Sequence, residues 1–119
     1  MKAISLAEKL DLFHEHWSPK IVAQLNDYHV KLVKVKGEFV WHEHIETDEL
    51  FLVIKGKLRI LLPNGTIVLH TGELFVVPKG VPHKPEADEE CHVLLLEPKD
   101  TVNTGEVGGA LTAPADSWI

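Results

Sequence analysis

Beyond residue 19 the chain is written in short apolar runs. KIVAQL, HVKLVKVK, GEFVWHEH, ELFLVIK, KLRILL, TIVLHT, ELFVV and CHVLLLE follow one another, and turn residues separate them: Asn26-Asp27, Gly37, Gly56, Pro63-Asn64-Gly65, Gly72 and Pro78-Lys79-Gly80. Runs this short, rich in β-branched and aromatic residues and bounded by turn formers, predict strands. Asn64-Gly65 predicts a two-residue type I′ hairpin, because both residues tolerate positive φ. Many strands at this spacing predict an all-β, antiparallel sandwich or barrel. Before residue 19 the only periodicity is helical. Ala3, Leu6, Ala7 and Leu10 repeat at helical spacing, and Ser5 with Glu8 forms a capping-box pattern, so a short N-terminal helix is expected.

Two strands are apolar on both faces. ELFLVIK puts Glu49, Phe51 and Val53 on one side and Leu50, Leu52 and Ile54 on the other; HVLLLE divides Val93 and Leu95 from Leu94 and Leu96. A barrel has one interior, so the second face needs a cover. The helix can supply part of it, and a second copy of the chain is expected to supply the rest, giving a homodimer. The competing cover is the tail, residues 101–119, folded back over the sheet. The expected division is an N-terminal helical arm over residues 1–18, a barrel domain over 19–98 and a C-terminal arm over 99–119.

Composition narrows the partners. At 119 residues the chain suits one domain. A net charge of −6, from 12 basic and 18 acidic residues, argues against a nucleic-acid partner and an anionic membrane surface. Cys91 is the single cysteine, so no intrachain disulfide can form. No run is apolar and long enough to span a membrane, and the N-terminus lacks the apolar stretch of a signal peptide. A cytoplasmic protein that takes a small-molecule ligand or substrate is the reading these features give.

The tripeptide HEH occurs twice, at residues 14–16 and 42–44. Residues i and i+2 of a strand share a face about 6.6 Å apart, so His42 and His44 can converge on one ion. An antiparallel return after IETD would bring Glu49 beside them. His83 follows a turn stiffened by Pro78 and Pro82. Three imidazoles and a carboxylate suit divalent ions of borderline softness. The first copy has no such surroundings. His14 and His16 are followed by Trp17-Ser18-Pro19, with no carboxylate after them, and the segment reads as a solvated exit from the helix.

The frame around the second copy, G-EFVW-H-E-H-IETD-E-LFLVIK-G over residues 37–56, resembles the first motif of the cupin superfamily. G-ELFVV-P-K-G-VP-H, residues 72–83, resembles the second. Two features differ from that pattern: four rather than five residues separate Gly37 from His42, and Ala87 stands where asparagine is common. The resemblance implies an antiparallel jelly-roll (cupin) barrel. It also implies one divalent transition metal (Zn, Fe, Mn, Ni, Co or Cu) on His42, His44, Glu49 and His83. Dioxygenase, isomerase or epimerase, and decarboxylase chemistry on a chelating, oxygen-rich molecule all fit that resemblance. So does a module that binds such a molecule without turnover. Residues 38–49 hold five acids and no lysine or arginine, which disfavours a phosphorylated sugar.

The remaining residues receive plainer readings. Phe51 and Trp41 are expected in the core, Tyr28 on a strand and Cys91 as a small buried hydrophobe. His29, His70 and His92 are expected at the surface or satisfied, and EADEE, residues 86–90, as a solvated loop. Glu46 and Asp48 are expected either to rim the pocket or to cap the connection.

Overall fold

The computed structural model describes all of residues 1–119. One short helix, α1 (Leu6–Leu10), precedes seven strands: β1 (Lys20–Leu25), β2 (Tyr28–Glu38), β3 (Glu49–Lys55), β4 (Lys57–Leu62), β5 (Gly65–His70), β6 (Leu74–Val77) and β7 (Lys84–Pro98). Ser5 caps the helix, its hydroxyl accepting from the Glu8 backbone N–H at 3.2 Å, as the sequence pattern requires.

All strand pairings are antiparallel. Five strands lie in the order β1-β2-β7-β3-β6, and β4 pairs with both β5 and the start of β7. The long strand β7 therefore serves two sheets. Its second half pairs with β3, from Val93 to Leu96, and its first half with β4, where Arg59 faces Glu86. Between Val35↔Cys91 and Gly37↔Ala87 the ladder with β2 shifts register, with the extra residues on β7. Such a bulge bends a strand, and here it carries β7 from one sheet to the other. The two sheets enclose an apolar core that includes Val33, Val53, Leu58, Ile60, Val77 and Val93. This is a jelly-roll β-barrel with one short helix, as the strand pattern and the resemblance imply.

Outside the barrel, Leu10 and Phe13 cover Val22 and Leu32, and Ile54, Leu94 and Ile119 pack against this second cluster. The rest of that outer face has no cover. Leu50 stands between Val76 and Leu96, and Leu52 between Leu74 and Leu94, in adjacent rungs of the sheet. Leu74 and Val76 are exposed.

The C-terminal arm is ordered against the barrel. Asn103 donates from Nδ2 to the carbonyls of Trp17 and Leu111, and its Oδ1 accepts from the Ala113 N–H. Gly105 packs on Glu43, where a Cβ would collide with the Glu43 carbonyl. At its end the arm pairs in parallel with β1 through Ile21 and Trp118. Only Ile119 reaches the outer cluster, so the arm is not the cover of the Leu50 and Leu52 rows.

Several expectations are corrected. The hairpin between β4 and β5 closes on Leu62↔Gly65, so its loop is Pro63-Asn64 rather than Asn64-Gly65. Proline fixes φ at the first loop position and Asn64 needs no positive φ. Gly37 lies within β2 beside the bulge rather than in a turn. GEFVWHEH forms no strand beyond Glu38; its histidines lie in extended chain joined by one bridge, His42↔His83. EADEE belongs to β7, although Asp88, Glu89 and Glu90 are exposed at the bulge. Trp41 is 45% exposed rather than in the core, whereas Phe51 is buried. The segment after the helix is not solvated throughout: Phe13 and Trp17 are buried, while His14, Glu15 and His16 between them face out. A proline and a lysine after Trp17 hid that packing from a reading by period.

Cys91 is buried in the core, and burial raises its thiol pKa to about 11. The thiolate is the reactive form, so a thiol reagent such as DTNB should leave the folded protein unlabelled at pH 8. Denaturation in guanidinium should release one equivalent per chain. Rapid labelling under native conditions would show that this part of the barrel opens.

Candidate metal centre

Two loops meet at one mouth of the barrel. The first, residues 39–48, lies between β2 and β3; the second, residues 78–83, lies between β6 and β7. Neither can satisfy its backbone within a regular ladder, so each satisfies the other. The His42 N–H donates to the His83 carbonyl at 3.0 Å and the His83 N–H returns to the His42 carbonyl at 2.8 Å. The Gly80 N–H donates to the His44 carbonyl at 2.9 Å, and the Lys79 N–H donates to Asp48 Oδ1 at 2.8 Å. Asp48 thus caps the connection and does not ligate. Pro78 and Pro82 limit the second loop's freedom before it docks, and this stiffening places His83.

These contacts bring together the four residues singled out in the sequence. His42, His44, Glu49 and His83 are all buried, and one ligand atom from each lies within 4.8 Å of the others. Each element has a part. The bridge sets the rings of His42 and His83 with centroids 4.2 Å apart. Glu49 opens β3 and faces inward with Phe51 and Val53. His83 Nε2 stands 3.2 Å from Glu49 Oε1, and His44 Nε2 stands 3.5 Å from the same oxygen.

Tautomers follow from the backbone. His42 Nδ1 lies 2.9 Å from the Val40 carbonyl, and His83 Nδ1 lies 2.9 Å from the Val81 carbonyl. A carbonyl only accepts, so both Nδ1 atoms carry hydrogen, and in the neutral rings Nε2 offers its lone pair inward. Such bonds commonly orient metal-binding histidines. His44 Nε2 has no hydrogen-bond partner although it is buried. An orphaned buried nitrogen beside three other donors is what a cation site leaves when only protein atoms are considered. The donor set, three imidazoles and a carboxylate, fits a divalent transition ion.

Electrostatics agree with this fit. Burial, and then the neighbouring His83, lower the pKa of His42 to about 4, so the ring is neutral at physiological pH. Burial acts to raise the Glu49 carboxyl, but the imidazoles of His44 and His83 beside it outweigh burial and hold it below its usual range. His42 and Glu49 are therefore in the protonation states a cation requires.

Beside the ligands is a cavity of about 40 Å³. Its walls include Trp17, Phe39, Phe51 and Leu95, with His42 and Glu49 at one side and Asn103 of the arm at another. Trp17 stacks on Phe39 at 4.7 Å, and Phe39 meets the edge of His42 at 5.2 Å. The contribution of Trp17 was missed in the sequence because it follows the first HEH, in a stretch with no strand or helix period. That first copy lies elsewhere. His14 is exposed, and His16 Nε2 contacts Glu90 at 2.7 Å, a carboxylate 74 residues away that spacing could not reveal. Glu90 also contacts His92 at 2.9 Å. Hydrogen bonds from His16 and then His92 lower the Glu90 pKa to about 2. His29 is buried, not at the surface, and its Nδ1 lacks a partner.

A pH dependence follows from His42. Unfolded, this imidazole takes up a proton near pH 6.5; folded, it does so only near pH 4. Between these values the unfolded chain binds more protons, so acid destabilises the fold by up to about 3 kcal/mol at the lower end. Above pH 6.5 both states are neutral and the term vanishes. Urea midpoints measured in EDTA should fall from pH 7 to pH 4.5, and fall less in His42→Gln. Parallel profiles would remove His42 as the cause.

Residues 29–97 match the cupin domain family. The chain is 33% identical over 97 residues to protein YdbB of Bacillus subtilis (strain 168), covering 81% of this chain and 83% of that one. Over 78 residues it is 32% identical to 3-hydroxyanthranilate 3,4-dioxygenase 2 of Aspergillus fumigatus (strain CBS 144.89 / FGSC A1163 / CEA10). That match covers 60% of this chain but only 40% of the dioxygenase. Among solved structures, a cupin-2 domain containing protein from Shewanella frigidimarina NCIMB 400 superposes with a TM-score of 0.79 at 54% identity. The superposition covers 80% of this chain and 93% of that one. With a matching family pattern over more than half its length and a jelly-roll barrel closed by its two motif loops, this chain belongs to the cupin domain family.

Proposed function

We propose that the chain binds one divalent transition-metal ion through His42, His44, Glu49 and His83. On this reading it acts on a small oxygen-rich molecule held at that ion by two of its oxygens. The observation that carries the reading is the buried donor set whose ligand atoms lie within 4.8 Å of one another, with His44 Nε2 left unpartnered among them. A bound ion with open positions would supply Lewis-acid chemistry or, if redox-active, oxygen activation. The protein's own part is to fix the ligands and exclude water. Val40 and Val81 carbonyls hold the rings of His42 and His83, and Trp17, Phe39 and Phe51 keep the adjacent cavity apolar. No lysine or arginine lines this cavity, and Lys84, the nearer of the two bases flanking His83 in sequence, is engaged by Glu38 at 2.6 Å. These features favour an uncharged chelator, such as a diketone, hydroxyketone or hydroxyaromatic, over a sugar phosphate. Likeness to the 3-hydroxyanthranilate dioxygenases supports dioxygenase chemistry as one reading, with isomerase or epimerase chemistry as the other.

One observation favours a second reading, a binding module without turnover. The titratable groups that line the cavity are His42 and Glu49, both assigned as ligands, and the Asn103 amide is fully engaged by the arm. No further titratable side chain lines that cavity. Turnover assays with each metal and a panel of diketones, hydroxyketones and 3-hydroxyanthranilate, with oxygen uptake recorded, separate the readings. Turnover by any pair establishes the enzyme, whereas chelator binding with no product across the panel establishes the module.

The uncovered rows around Leu50 and Leu52 support a homodimer. Closed two-fold pairing is the common way to bury such a patch. The lone buried thiol suits a cytoplasmic setting, and the net charge of −6 disfavours a nucleic-acid partner.

Elemental analysis after purification without chelators should find one transition ion per chain. His42→Ala should lower occupancy at least about tenfold, since outer-shell changes alone cost 10–100-fold. His14→Ala with His16→Ala should leave the buried site filled, and equal losses in both variants would refute the ligand assignment. Light scattering at micromolar concentration should give twice the 13.3 kDa of one chain. Leu52→Lys with Leu74→Lys should give a monomer. A wild-type mass of 13.3 kDa would rule out the dimer.

A further inference from the structure

Behind Glu49 the barrel interior holds two more ionisable side chains that the proposed chemistry does not use. Glu97 on β7 is 1% exposed, and Lys31 on β2 is 2% exposed. Glu97 stands one residue beyond Leu96, the partner of Leu50, as Glu49 stands one residue before Leu50. The two carboxyls therefore face each other across β3 and β7, and Glu49 is among the groups acting on Glu97. Neither Glu97 oxygen has a hydrogen-bond partner. On its other side, Lys31 Nζ lies 3.3 Å from Glu97 Oε1 and donates to the Thr101 carbonyl at 3.2 Å. Glu49 Oε1 lies 3.2 Å from His83 Nε2 and 3.5 Å from His44 Nε2, whereas Lys31 Nζ lies beside Glu97 alone among the carboxylates.

A buried ion pair is a weak source of stability, and apolar replacements of similar volume are often neutral or better. Its placement against a ligand carboxylate suggests a role other than stability. A lysine ammonium is a compact point charge on a flexible stem, and a buried ammonium without an anion is costly. Were Glu97 absent, the carboxylate facing its place across the strands would be Glu49, and the lone pairs that Lys31 would engage there are those a cation needs.

We propose that Glu97 is a positioning residue for the metal centre: it occupies Lys31 and keeps that ammonium off Glu49, leaving the Glu49 carboxylate free to ligate. This rests on the reading of His42, His44, Glu49 and His83 as a metal site. It depends on where the groups stand, since a Glu97 carboxyl in either protonation state lies between Lys31 and Glu49. The Thr101 carbonyl provides the second anchor of the ammonium, so the C-terminal arm helps hold it in place.

The test is the dissociation constant for Co²⁺ and Zn²⁺ alone, measured by competition with a chromophoric chelator on the full-length chain. Glu97→Leu should weaken binding at least about tenfold, the lower end of outer-shell effects. Adding Lys31→Met to Glu97→Leu should restore affinity to within a few-fold of wild type, because the competitor is gone. Lys31→Met alone should not weaken binding. If Glu97→Leu fails to fold, the other two variants still decide, since a weaker ion affinity in Lys31→Met, or no wild-type-like affinity in the double variant, overturns the proposal. A supporting structural role for the pair predicts that each loss adds to the last, which is the opposite order. Unchanged affinity in folded Glu97→Leu overturns the proposal alone. A wild-type chain that takes up neither ion overturns the metal centre and this proposal with it.

Discussion

The mutual hydrogen bonds between His42 and His83 are the contact on which the site depends. Residues 39–48 and 78–83 are irregular, and backbone polar groups at a barrel mouth must find partners. They find them in each other, through two bonds of 2.8 and 3.0 Å. The bridge ties the end of β2 to the start of β7 across the top of the core. It also presets two imidazoles, because each ring hangs from a bridged residue and is held by a carbonyl two residues earlier. The placement of these two candidate donor rings is thus a consequence of backbone satisfaction.

Around this bridge the interior divides into an apolar end and a polar end. Val53, Leu58, Ile60 and Val93 fill the one, each burial worth roughly 1.5–3 kcal/mol. The other holds His42, His44, Glu49, His83, Glu97 and Lys31, all below a tenth exposed. Burial, followed by the negative charge of Glu49, raises Glu97 well above the usual carboxyl range. Polar groups at this density oppose folding unless a ligand rewards them, and a cation among the donors would be such a ligand. The apolar end supplies the stability that lets the polar end exist.

The arm joins these parts. Asn103 spends its whole amide on Trp17, Leu111 and Ala113, and Trp17 in turn stacks on Phe39 beside His42. Thr101 holds Lys31, and Ile119 closes on the outer cluster with the helix. One polar segment of low apolar content therefore touches the cavity wall, the buried ammonium and the helix. Few buried apolar contacts hold it, since Thr104 is its single buried residue, so it belongs to the less stable part of the fold.

The sequence by itself determined the strand content, the helix cap, the doubly apolar faces of β3 and β7 and the four donors. Strand period is a local signal, and the donors sit in motifs whose spacing is also local. It misread features that depend on residues distant in sequence. The histidines at 42 and 44 share no strand, because their partner is a loop across the mouth rather than a neighbouring run. EADEE joined β7 because β2 and β4 supply its ladder, overriding an acidic composition that reads as loop. Trp17 became a cavity wall and Trp41 a surface residue, a choice set by which side of the loop meets the core. The contact of His16 with Glu90 and the Lys31–Glu97–Glu49 row likewise exist only once strands are in register. Periodicity assigns a residue to a face, but only the closing of the barrel decides which faces meet and which charges must share a space without water.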